Sequence, residues 1–224
     1  MFNIIRDVEA PECLSHGIYN DPSVTDALKK IFHGKCYLCE QSRISDPEIE
    51  HFIPHEGDAF LKYDWNNLFY SCSRCNSIKS NRHVNLLDCS DPTIDISMEI
   101  VHLAPSLTSE DVTIRPSTED NINEKTLNTI RLLKECYNSK STGLRGITRE
   151  NLLENLLKNY TNFLLSRQTL INLESTEDEI DYAKARMKAM CKIAFPFSVF
   201  WKWHIRLDNF LLEQYPNLFE DLGI

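Results

Sequence analysis

Four cysteines in two pairs carry the most specific chemistry in this chain. "CYLC" holds Cys36 and Cys39, and "CSRC" holds Cys72 and Cys75, with two residues inside each pair. That spacing lets each pair grip one ion from a tight knuckle, and four thiolates suit a closed tetrahedral zinc site with no position left for a substrate. The zinc predicted here is therefore structural. Any catalysis belongs between the pairs, where "IEHFIPH" (49–55) leads to "WNNLFYSCSRCNSIKS" (65–80).

An acidic residue and a histidine in a first strand, an Asn-Leu in a second, and a CxxC leading into a helix with a lysine one turn on form an ordered pattern. Glu50-His51, Asn67-Leu68 and Cys72 to Lys79 supply it. In order and spacing this resembles the HNH endonucleases, the ββα-metal nucleases, whose zinc-bearing members place one CxxC before the catalytic segment and one inside it. The layout is most similar to the HNH nuclease subunits of Septu anti-phage defence and of retron-associated systems. That resemblance implies a nuclease acting on DNA or RNA beside an ABC-type ATPase subunit in a hetero-oligomer. Two positions depart from the pattern: His55 stands where a Lys or Arg is expected, and Asn76 replaces the closing histidine.

The residue types suit the chemistry. Hydrolysing a phosphodiester needs a base to deprotonate water, and a neutral imidazole near pH 7 can serve, which assigns His51. A divalent cation must offset phosphate charge, and hard oxygen ligands from Glu50 and Asn76 suit Mg2+ or Mn2+. From the resemblance, Asn67 orients the imidazole. On a strand, adjacent side chains diverge, so Glu50 and His51 meet at one site only where the strand ends or across its edge. Asn67 also reads as a turn residue and Asn76 as the cap of a helix starting there. Arg74, Lys79 and Arg82 lie on or beside that helix as phosphate-contact candidates, while His55 and His83 flank the site. The alternative to catalysis is a silent zinc-knuckle module that binds nucleic acid or protein.

Several elements must position these groups. "DPSVTDALKKIF" (21–32) reads as a helix stopped at His33-Gly34, and "EIEHFIP" and "NLFYS" as two strands. "TIDISMEIVHL" and "DVTIRP" read as a small hairpin. Beyond residue 117 the pattern turns helical: Leu152, Leu153, Leu156, Leu157, Tyr160, Phe163 and Leu164 share one face, and Ser175 with Asp178 resembles a capping box. "FPFSVFWKWHIR" (195–206) could stack bases but fits better as an amphipathic helix burying its aromatics. The predicted fold is α+β, mainly α: a zinc-stapled ββα-metal core within 1–117, then a helical domain, 118–224, as the partner interface.

Composition sets the bounds. The 224 residues, 42% hydrophobic, can bury a core, and no apolar run approaches the roughly 20 residues that span a bilayer. "MFNIIRDVEAPE" lacks a signal-peptide pattern, so the expected compartment is the cytoplasm and Cys13, Cys89, Cys136 and Cys191 are expected as free thiols. A formal net charge of −9 opposes nucleic-acid binding by the chain as a whole. A local basic patch or a partner subunit must supply the attraction.

Overall fold

Asp21 begins the first helix. Its carboxylate accepts from the Ser23 amide and Pro22 takes the first helical position, so α1 runs Pro22–Ile31 with Val24, Ala27, Leu28 and Ile31 buried along one face. The chain leaves through His33 and Gly34, both with positive φ, and Gly34 N donates to Lys29 O. This computed structural model describes residues 1–140 and 148–224.

Strand β1 (Pro47–His51) pairs antiparallel with β2 (Leu68–Cys72), setting Glu50 opposite Phe69 and His51 opposite Leu68. Between them lie a short helix, α2 (Ala59–Tyr63), and a 3-10 turn at Trp65–Asn67. Every residue of β2 is buried. Helix α3 (Ser73–Lys79) follows without a break and packs across both strands. The expected ββα order holds, but the helix starts three residues before Asn76. Cys72, still extended, caps it by accepting the Cys75 amide on its sulfur, so Asn76 lies inside the helix and does not cap it.

A one-turn helix, α4 (Ile96–Glu99), precedes the hairpin of β3 (Ile100–Leu103) and β4 (Thr113–Pro116). The remaining helices are α5 (Glu124–Asn138), α6 (Arg149–Ile171), α7 (Glu177–Cys191), α8 (Ser198–Arg206), α9 (Asn209–Gln214) and α10 (Leu218–Leu222). The fold is thus mixed α+β with two small sheets. The capping box falls at Thr176 and Glu179, one residue beyond the expected pair, because the Ser175 hydroxyl instead donates to Thr169 O. Helix α8 buries Phe200, Trp201, Trp203 and Ile205, so the aromatic run fills the core. Leu164 departs from the expected face and stays exposed, whereas Leu152, Leu153, Leu156 and Phe163 are buried.

Near residue 117 the element type changes, yet apolar side chains from both sides share one core. Polar bonds cross as well. Tyr137 Oη donates to Cys39 O, and the fully buried Lys35 ammonium bridges Glu40, Phe195 O and the Ser198 hydroxyl. These contacts tie the first cysteine knuckle to α5 and α8. Among the described residues no helix is long and apolar enough to cross a membrane.

Candidate active site and metal centre

Two local devices build the four-cysteine centre. The first knuckle folds back through Glu40 N to Cys36 O and Cys36 N to Gln41 O, with Glu40 in the left-handed region. The second is the β2–α3 junction. Tyr37 N donates to Tyr70 O and holds the two together. The sulfurs of Cys36, Cys39, Cys72 and Cys75 all lie within 4.8 Å of one another, and all four residues are buried. Sulfurs about 2.3 Å from a tetrahedral ion stand about 3.8 Å apart. The 3.9 Å between the Cys39 and Cys72 sulfurs is close to that edge, and no disulfide joins any of the four. The donor set is compatible with zinc. Cys13, Cys89, Cys136 and Cys191 are free thiols, as expected.

At the end of β1, a pocket of about 310 Å3 collects Glu50, His51, His55 and Asn76, with Tyr19 in its wall. The strand ends at His51, which lets adjacent Glu50 and His51 both face it. The His51 ring lies edge-on to Tyr19, with centroids 4.9 Å apart, and to His55 at 4.7 Å. Its Nε2 sits 3.0 Å from Lys62 O. A carbonyl only accepts, so Nε2 carries the proton and Nδ1 is the basic nitrogen. Burial lowers the His51 pKa, outweighing the Lys62 carbonyl, so the imidazole is neutral at pH 7.

Glu50 is 5% exposed, and its carboxylate lies 2.6 Å from the Lys79 ammonium. Burial nevertheless dominates and raises its pKa to about 7. Lys79 also donates to His51 O. It is fully buried and turned to the protein, so the expected phosphate contact gives way to an internal ion pair. Asn76 donates its Nδ2 to Glu48 at 2.6 Å, which leaves the amide oxygen out of that bond.

The remaining candidates scatter. Asn67 does not touch the imidazole. Its oxygen accepts Ile53 N, and its nitrogen donates to Ile53 O and Leu61 O, so it pins the loop after β1 while Lys62 O orients the ring. Arg74 is 1% exposed, with its guanidinium on Cys136 O and Ser139 O, and so braces α5 where a phosphate contact was expected. Arg82 stays on the surface beside Glu135, and His83 pairs with the same carboxylate 3.4 Å away. His55 joins the pocket; His83 does not line it. Two contributors escaped the sequence reading: Tyr19, which carried no local signal, and Glu48, which strand periodicity places on the same face as Glu50.

Among the described residues, the four cysteines are the one set of three or more His, Cys, Asp or Glu side chains close enough to share an ion. The pocket's own donors, among them Glu50, His51, His55, Glu56 and the Asn76 amide, form no such set. A cation such as Mg2+, which keeps waters and takes substrate phosphate oxygens, needs only one or two protein ligands.

Residues 36–82 match the family model for HNH endonuclease. This stretch is an HNH domain. The domain spans both cysteine pairs and every residue placed in the pocket except Tyr19. The chain is also similar to a Septu protein PtuB of Bacillus mycoides (strain KBAB4), 42% identical over 73 residues, 26% of this chain and 25% of that protein. A Septu protein PtuB of Bacillus thuringiensis is 32% identical over 90 residues, 38% of this chain and 35% of that protein. The similarity thus spans about a third or less of either relative's length. No solved structure matches significantly.

Proposed function

We propose that the chain is the nuclease subunit of an anti-phage defence complex and hydrolyses phosphodiester bonds of nucleic acid in the pocket at His51. The observation that carries this reading is the convergence of the His51 imidazole, the Glu50 carboxyl and the Asn76 amide on one pocket of the HNH domain. Water attacks phosphorus as His51 Nδ1 takes its proton, and the bond to the leaving oxygen breaks. Lys62 O holds the ring in the tautomer this requires.

Glu50 and Asn76 would hold Mg2+ or Mn2+, which offsets phosphate charge and stabilises the leaving oxygen. The four cysteines would hold zinc as a closed structural ion. In the resting arrangement, Lys79 neutralises Glu50 and Glu48 engages Asn76, which suits a site that waits for cation and substrate. A chain of net charge −9 gains from a partner that gathers nucleic acid, and the resemblance to Septu subunits supports an ABC-type ATPase in that place.

His51→Ala tests the assignment. Cleavage of DNA or RNA in Mn2+ or Mg2+, with the partner present, should fall roughly 10²- to 10⁴-fold. A variant that cuts like wild type would remove His51 as the base and favour the silent binding module.

A further inference from the structure

Beside the catalytic pocket lies a second, apolar one of about 390 Å3. Its walls are Phe52, Ile53, Pro54, Val84 and Leu86, with Lys125 at the rim. Both walls grow directly out of the site. One is the segment that leaves β1 after His51; the other follows α3, which carries Asn76 and Lys79. Pro54 lines both pockets, so they adjoin.

The walls are held in place. Phe52 stacks on Phe69 with centroids 4.8 Å apart, and its amide donates to Asn67 O. Ile53 is gripped at both its N–H and its carbonyl by the Asn67 side chain. On the opposite wall, Leu87 N donates to the Thr129 hydroxyl and Asn85 O accepts from Asn128. Yet Ile53 is 52% and Val84 50% exposed. Apolar side chains carried on backbone anchored in this way and left this open, next to a polar site, suit an apolar group on the molecule that occupies that site.

Resting on the nuclease reading, we infer that this second pocket receives one unstacked nucleobase of the nucleic acid whose phosphate sits at His51. A nucleic acid is a polymer of alternating phosphate and base, and a strand entering one pocket carries a base to its neighbour. An apolar, aromatic-floored cleft holds a base face without reading its edge. Lys125, which lines the same pocket, supplies a positive charge suited to a neighbouring phosphate. Insertion requires a base free of its duplex, so the preferred substrate is single-stranded or locally unpaired.

The test uses full-length His51→Ala protein with the partner subunit present, and oligonucleotides carrying a single 2-aminopurine at successive positions, in DNA and RNA series. One position should brighten on binding, reporting a base drawn from its stack. The neutral double variant Ile53→Ser/Val84→Ser, at two half-exposed side chains, should abolish that signal and weaken binding roughly tenfold, the loss of one base contact. Thermal melting checks that this variant folds. The proposal is overturned if no position brightens in either series, or if the double variant leaves brightness and affinity unchanged. Cleavage plays no part in this readout. A failure of catalysis, read from wild-type protein in Mn2+, is therefore separable from a failure of the base pocket.

Discussion

The four-cysteine centre and the pocket at His51 share the same short strand-and-helix unit and are built on opposite plans. In the centre every donor is buried and aimed at the other three, at spacings that one ion satisfies. In the pocket each of three groups has a protein partner on one atom: Lys79 on Glu50 Oε1, Glu48 on Asn76 Nδ2, Lys62 O on His51 Nε2. A closed set of four thiolates directed at one point suits a single cation. An open set must be kept ready without being consumed. The contrast separates a closed set suited to one ion from groups arranged about an open pocket.

The contrast breaks most visibly at Cys36→Ser. Zinc bound by four thiolates contributes on the order of 10 kcal/mol to a small domain, comparable to the whole stability of many proteins. Metal analysis should find the ion lost, and melting of the HNH domain should lose its cooperativity. Retained metal with an unchanged melt would show that the centre is not the frame. Changes in the pocket should leave the metal content untouched.

That asymmetry also explains how far the sequence could be read. The cysteine pairs were legible because a CxxC is a local device, and the ββα order followed from short apolar runs beside them. Convergence of Glu50, His51 and Asn76 was expected from the resemblance, and the strand end at His51 provides it. What sequence could not show was which polar groups are spent internally. Lys79 turns inward to Glu50, 29 residues away, and Arg74 reaches Ser139, 65 residues away. A basic residue near a motif looks the same whether it faces solvent or a distant carbonyl. The Cys72 sulfur likewise took the capping role assigned to Asn76.

Asn67 sharpens the comparison from the other side, since it serves the pocket without touching its chemistry. Buried at 4% exposure, it makes three hydrogen bonds to the backbone of Ile53 and Leu61. Asn67→Ala strands those groups at a cost of roughly 3 kcal/mol. Urea denaturation should register the loss while bound metal stays stoichiometric. Cleavage should fall because Ile53, Leu61 and neighbouring Lys62 O shift together. A variant of wild-type stability would mean that the loop is held elsewhere.

The smallest effect expected is one of pH, and it concerns the pocket alone. Burial raises the Glu50 pKa to about 7 against the pull of Lys79, whereas burial lowers that of His51. A cation needs the Glu50 carboxylate, so below about pH 7 the proton competes. Mn2+ affinity should then weaken towards tenfold per pH unit, with His51 already neutral until lower pH. Stability without the cation runs the other way. A carboxyl whose folded pKa is raised favours the folded state at low pH and loses that contribution as pH climbs from its ordinary value of 4.5 to about 7. Protein without the pocket cation but with the cysteine centre loaded should therefore melt higher near pH 5 than near pH 8 by an amount that Glu50→Gln removes. Calorimetric Mn2+ titrations across the same range, with the cysteine centre loaded, give the opposing slope. Affinity that stays flat through pH 7 would place the cation away from Glu50. Opposed slopes that both vanish in Glu50→Gln would show one carboxyl holding its cation at the expense of the fold.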